Sequence, residues 1–257
     1  MPSDLSTVLT SLLFDKHLID LGNWNQDELK EMEKWNETSD HEKHRIRAAQ
    51  LLSYFTLKIL DEDCDARGRV RIGRLASALY KLETMLVLTK SLEGKFYRDH
   101  LNHIIRVAIL ARAIGSKQPF RMSRESLDKL TLACIFHDIA YPISQLNIIL
   151  SSTLNSIRGC YNIAGAITSY GDMNLDLDKD MIANIIPNQK DIIDKSIGSF
   201  DHGLLSAFEF LTYLKPNCGH LMKYSDVVKS IAFHSPMFNF EIDSMSEKNP
   251  FNIDNGG

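Results

Sequence analysis

A histidine and an aspartate stand side by side at His137 and Asp138, at the end of the nearly unbroken apolar stretch from Leu130 to Phe136. A carboxylate delivered into such surroundings is costly unless it is paired or bound to a metal. An adjacent imidazole and carboxylate can converge on one cation, which cancels the aspartate charge and uses the neutral imidazole. The alternative is a helix C-terminus whose histidine favours the dipole and whose aspartate caps a turn. More histidines recur on both sides of the pair. Upstream is Asp99–His100–Leu101–Asn102–His103–Ile104–Ile105–Arg106–Val107; downstream are Asp201–His202–Gly203 and Ala232–Phe233–His234–Ser235. His41 and His44 form a further pair in a charged stretch, His–Glu–Lys–His, which reads as a solvated helix face rather than a metal site.

Helices must position these residues. The apolar run predicts a helix buried on all sides, opened by Ser123, with Glu125 and Asp128 in its first turn and Pro142 as its stop. A helix over 96–114 places His100 and His103 on one face and ends at Gly115, which suits a left-handed C-cap. Asp201 and His202 open a helix to Leu214, stopped by Pro216; Ser225 caps the helix that bears His234, and Pro236 ends it. Earlier in the chain, Ser3 caps a helix through Leu5 and Leu13, with Gly22 as a later stop. Asn25 opens a polar helix, and Ser39 or Asp40 opens a longer one with Ile46, Ala49, Leu52, Phe55 and Ile59 at helical spacing. The polar stretch from Asp61 to Gly73 marks a boundary, and a helix follows from Arg74 to Leu92. Residues 158–198, rich in Gly, Asn and Asp, read as short helices joined by loops. No β-alternation of useful length occurs, so the expected fold is all-α, with residues 1–62 as a helical N-terminal appendage and 252–257 as a tail.

At 257 residues the chain can bury a real core. Its net charge of −4 argues against a broad basic face for nucleic acid, while a small anion held by a few local cations is compatible. The four cysteines are scattered with no Cys-x-x-Cys, and Cys134 reads as a small core residue; the expectation is a reducing cytosol. No basic segment opens the chain as a secretory signal, and no apolar run is long enough to span a bilayer. Homo-oligomerisation is left open.

The ordered series of His103 followed by Arg106–Val107 (as in H-x-x-R-V), then His137–Asp138, His202 and His234, resembles the HD-domain superfamily of metal-dependent phosphohydrolases. The resemblance covers roughly Gly73 to Phe251. It implies an HD-domain-like helical bundle over 73–251, with His103, His137 and Asp138 as metal ligands and His202 and His234 available for a second ion. Asp138 is the natural bridge, since its two oxygens can face two metals. Arg106, one turn from His103, is the candidate for a phosphate oxygen, against the alternative of a surface ion pair; Lys223 and Arg98 are weaker candidates. His100 is taken as support behind the ligands or as plain packing. The donor set suits Mn, Fe, Co, Ni or Zn, and Mg if waters fill the sphere, as one ion or two.

The function the resemblance implies is a phosphomonoesterase or phosphodiesterase acting through metal-activated hydroxide on a small phosphate ester, with a nucleotide as the expected substrate. The Glu–Asp pair that follows the dipeptide in the ppGpp-hydrolase branch has no counterpart between Ile139 and Gln145, and the HD-GYP signature is absent, so the substrate stays open. The competing reading is an HD fold that has lost turnover and senses a ligand or partner. Family members close the first metal site with an Asp on a last helix, for which this chain offers only Asp243 and Asp254. The expectation is that neither completes the site, that a water takes the place, and that turnover is low.

Overall fold

The computed structural model describes residues 16–38, 40–92, 99–142, 144–145, 202–214 and 222–234. Regular structure among them is helical throughout, with no strand: the fold is all-α. The expected helix after Ser3, the segment 158–198, and the stops at Pro216 and Pro236 lie outside the described residues.

Local chemistry sets most of the helix starts. After α1 (Lys16–Leu21) the chain turns at Gly22, and Asn25 opens α2 (Gln26–Asn36) with a reciprocal cap. The Asn25 side chain accepts from Glu28 N at 3.0 Å while Asn25 N donates to Glu28 Oε2 at 2.8 Å, so two orphan amides of the helix end are satisfied. Of the two candidates for the start of α3 (His41–Leu60), Asp40 is the cap, accepting from Lys43 N. A 3-10 turn at Asp61–Asp63 leads into α4 (Ala66–Leu92). Asp99 caps α5 (His100–Gly115), and Ser123 caps α6 (Arg124–Phe136). The last described helices are α7 (His202–Leu211) and α8 (Ser225–Ala232).

Helices α5 and α6 pair most extensively, α3 lies along α4 and α5, and α8 packs on both α7 and α6. One continuous core joins Trp35, Leu52 and Phe55 from the early helices to Ile104, Ile105, Leu132, Phe136, Phe210 and Ile231. Phe136, fully buried, meets the rings of Phe210 at 5.0 Å and Tyr213 at 5.8 Å. Burying one such ring stabilises by about 1.5–3 kcal/mol, and this one anchors the helix end where the His–Asp pair stands.

Four local expectations are corrected. Helix α4 starts at Ala66, not Arg74, because Asp65 accepts from Gly68 N at 2.6 Å and begins the helix inside the polar stretch. Gly68 is required there by packing: a Cβ would lie 2.7 Å from both Cys64 Sγ and the Tyr213 carbonyl oxygen. Gly115 is the last residue of α5 rather than a left-handed cap; a Cβ on it would press Met122 Sδ at 2.9 Å and Leu127 Cδ2 at 3.0 Å. Ser225 is the first residue of α8, and the cap position is Tyr224, which makes no side-chain cap bond. Helix α6 ends at Phe136 with His137 as its C-cap, at the His–Asp pair as expected, but it is not buried all round: Ser126, Lys129, Leu130, Ala133 and Cys134 face an open groove.

Candidate metal centre

Every residue of the expected ligand set sits at a helix end. His103 is in the first turn of α5, His137 is the C-cap of α6, Asp138 is in the turn that follows, His202 begins α7, and His234 lies two residues past α8. The turn is pinned from several sides. Ile139 N donates to Phe136 O at 3.3 Å, and Tyr141 N donates to Asp138 O at 3.0 Å. Ala140 N donates to Ser206 Oγ at 3.0 Å, which fastens the turn to the helix carrying His202. Ile139 and Ala140 are buried, so the turn cannot swing away without exposing apolar surface.

The four histidines converge on the Asp138 carboxylate. His103 Nε2 lies 3.8 Å and His137 Nε2 3.4 Å from Asp138 Oδ2, while His202 Nε2 lies 3.4 Å and His234 Nε2 3.3 Å from Oδ1. The carboxylate thus divides four imidazoles into two pairs, one per oxygen. Within each group of three residues the donor atoms all lie within 4.8 Å of one another. Ligands about 2.1 Å from one ion stand about 3.0–3.4 Å apart, and the carboxylate-to-imidazole separations of 3.3–3.8 Å come close to that spacing. His137 Nδ1 is 2.6 Å from the Cys134 carbonyl oxygen; donating there, the ring turns the lone pair of Nε2 toward Asp138. The residues fit a divalent metal.

Electrostatics point the same way. Burial works against the Asp138 charge, but the hydrogen bond from His234 and the nearby His137 and His202 outweigh it and hold the carboxyl well below the usual range. Burial pushes the His137 imidazole down from its ordinary value against the pull of Asp138, favouring the neutral form a metal takes. Cys134, on the groove wall, is pushed by burial up to about 12 and stays a thiol at neutral pH.

Behind the ligands stands a layer that the spacing of histidines does not reveal. Tyr141 stacks on His100 at 4.1 Å and meets the His202 ring edge-on at 5.4 Å. His100 N donates to Glu83 Oε2 at 3.2 Å, and Glu83 is fully buried. His100 itself is buried with its ring 6.3 Å from that of His103. Buried polar groups seldom stand without partners, so a Glu at an inward position of α4 was the available signal for this layer.

The expected cations have other charged neighbours in the structure. The Arg106 charge acts on Asp99 and His44, and Arg106 is not among the described residues lining the groove. Lys223 is held at 2.6 Å by Asp63 at the N-terminal end of α8, where Tyr224 OH also donates to Asp63. Lys129, which sequence spacing did not single out, lines the groove instead. His41 is exposed as expected, whereas His44 is half-buried and stacks on Trp35 at 4.8 Å, so it is more than a solvated face. Arg98, Asp243 and Asp254 lie outside the described residues.

The groove has a volume of about 870 Å³ and runs from His103, His137 and His234 between α5, α6 and α8. No described helix is long and apolar enough to cross a membrane. Residues 101–188 match the family model described as HD domain, a span that contains His103, His137 and Asp138 and stops short of His202 and His234. No curated protein and no solved structure matches the chain.

Proposed function

The chain carries an HD domain, the unit of a superfamily of metal-dependent phosphohydrolases, and from that premise we propose that it hydrolyses a small phosphate ester at the Asp138 centre. The observation that carries this reading is the division of four Nε2 atoms between the two oxygens of Asp138. His103 and His137 would hold one divalent ion, His202 and His234 a second, and Asp138 would bridge them. When bound, such ions acidify a water and neutralise charge on a phosphoryl group at neutral pH. The metal is one of Mn, Fe, Co, Ni, Zn or Mg by the donor chemistry.

In the overall reaction a water oxygen bonds to phosphorus as the P–O bond to the organic part breaks. The departing alkoxide takes one water proton and the other stays with the phosphate. The chain's own part is to orient and exclude. Cys134 O fixes the His137 ring, Ser206 fixes the Asp138 turn, and the His100–Tyr141 stack walls the far side. Arg106 enters this reading through the H-x-x-R-V resemblance alone. A nucleotide as the organic part rests on the resemblance alone, and the described groove walls favour a less polar one. The described cysteines, Cys64 and Cys134, are free thiols, which suits the cytosolic setting we propose.

Asp138→Asn tests the proposal. Loss of a second-layer partner typically costs 10–100-fold in metal affinity or activity, so loss of the bridging charge should lower Mn²⁺-dependent hydrolysis of p-nitrophenyl phosphate by more than about a hundredfold. In parallel, the rise in melting temperature on adding Mn²⁺ should vanish, since only the native site binds the ion. His41→Ala should leave both readouts at wild-type levels. Equal losses from the two substitutions would sink the assignment.

A further inference from the structure

The groove that leads from the histidine cluster has apolar walls. Val107 of α5, Leu130 and Ala133 of α6, and Val227 and Phe233 on the α8 side line it. Along α6 it extends from His137 back to Ser126, on the order of 16 Å of helix at 1.5 Å per residue. Cys134 lines the same wall. Apart from the histidines, the charged groups among its described lining residues are Lys129 and Asp226, one of each sign. Lys129 Nζ is moreover held 3.2 Å from Glu125.

A polyphosphate brought into this channel would leave its second and third phosphates against apolar side chains, with no net positive charge among the described lining residues to neutralise them. Burying an unpaired charge there is heavily unfavourable, whereas burying methylene or aryl groups is favourable. We infer that the groove selects a phosphomonoester of an uncharged, apolar alcohol: the single phosphate sits at the Asp138 end, and the alkyl or aryl part lies along Leu130, Ala133, Val227 and Phe233. The inference rests on the phosphohydrolase reading for the orientation of the ligand, and on the groove walls for its apolar part.

Titration calorimetry of the full chain with methyl-, butyl- and octylphosphonate in the presence of Mn²⁺ tests it. Full burial of a methylene is worth about fourfold in affinity, and a half-open groove about twofold, so octylphosphonate should bind on the order of a hundredfold more tightly than methylphosphonate. Leu130→Asp should flatten the dependence on chain length. Ser230→Leu, at an exposed position of the same wall, should steepen it, and melting temperatures establish that each variant is folded. If Leu130→Asp does not fold, the sign of the Ser230→Leu effect decides. Equal dissociation constants for methyl- and octylphosphonate, or tighter binding of ATP than of octylphosphonate, would overturn the inference.

The two readings fail separately. Chain-length dependence that persists without Mn²⁺, in a protein that hydrolyses no ester, would uphold the groove and remove the phosphohydrolase. Hydrolysis of phenyl phosphate with no chain-length dependence in binding would do the reverse.

Discussion

Two imidazoles face each oxygen of Asp138, and that symmetry sets what the residue does. The carboxylate is 7% exposed and remains ionised because the imidazoles around it offset the cost of burial. A different balance governs His44. Its ring stacks on Trp35 of the preceding helix, and burial, with Arg106 and His41 adding like charge, lowers it from 6.5 to about 4. A base whose folded value is depressed refuses a proton that the unfolded chain accepts. The resulting penalty is absent above pH 6.5, grows as the pH falls toward 4, and levels off below that. His44→Gln should therefore show a shallower loss of stability between pH 6.5 and 4 than the wild type, read from denaturant midpoints at several pH values. Parallel curves for the two proteins would show that His44 does not titrate in this window.

At the scale of the element, α4 separates two uses of glycine that look alike in sequence. Gly68 faces the Tyr213 carbonyl oxygen, with no room for a methyl group, whereas nothing lies within 4 Å of a Cβ at Gly73. Gly68→Ala should destabilise by about 1–3 kcal/mol through overpacking. Gly73→Ala should stabilise by about 0.5–1 kcal/mol, because alanine loses less backbone entropy in a helix. Thermal unfolding of the two variants checks both signs, and a stabilised Gly68→Ala would contradict the close approach of α4 to the turn after α7. Helix α6 shows a related division. Its Leu127, Leu132, Ile135 and Phe136 are fully buried, and its groove-facing stripe is not. One helix thus both anchors the core and walls the site.

For the whole molecule, the early helices are tied to the site-bearing ones by a buried cation. Arg112 is fully buried. Its Nη1 donates to Asp128 at 2.7 Å and to Thr131 at 2.9 Å, and its Nε donates to the Gly22 carbonyl at 3.1 Å. Its guanidinium also lies 4.3 Å from the Trp24 ring centroid. Asp128 is shared with Arg124, which reaches across to Glu28 and the Asn23 carbonyl. The turn between α1 and α2 is thereby fastened to α5 and α6. Removing Arg112 deprives the Gly22 carbonyl and Thr131 of a buried donor and leaves a large void, while Asp128 keeps Arg124, so Arg112→Ala should cost about 3–5 kcal/mol. Arg112→Lys should restore little of it, since an ammonium cannot serve three acceptors in the geometry of a planar fork. A loss below about 1 kcal/mol in chemical denaturation would show that this network does not hold the early helices in place.

Asn25 with Glu28, Asp40, and Ser123 announce their helices by type and spacing, because a cap is satisfied by backbone amides two or three residues away. The ligand candidates were legible in the same way, as chemically apt residues at the ends of helical segments in a family's order. That His202 and His234 meet His103 and His137 around one carboxylate is decided by packing, since α7 and α8 must seat against α6 to bring them there. The groove-facing stripe of α6, the role of Gly115, the burial of His44 and the Glu83–His100–Tyr141 layer belong to the same class. Local chemistry determines where a helix starts. Which of its faces is covered depends on a neighbour from elsewhere in the chain, and no spacing within the helix itself contains that.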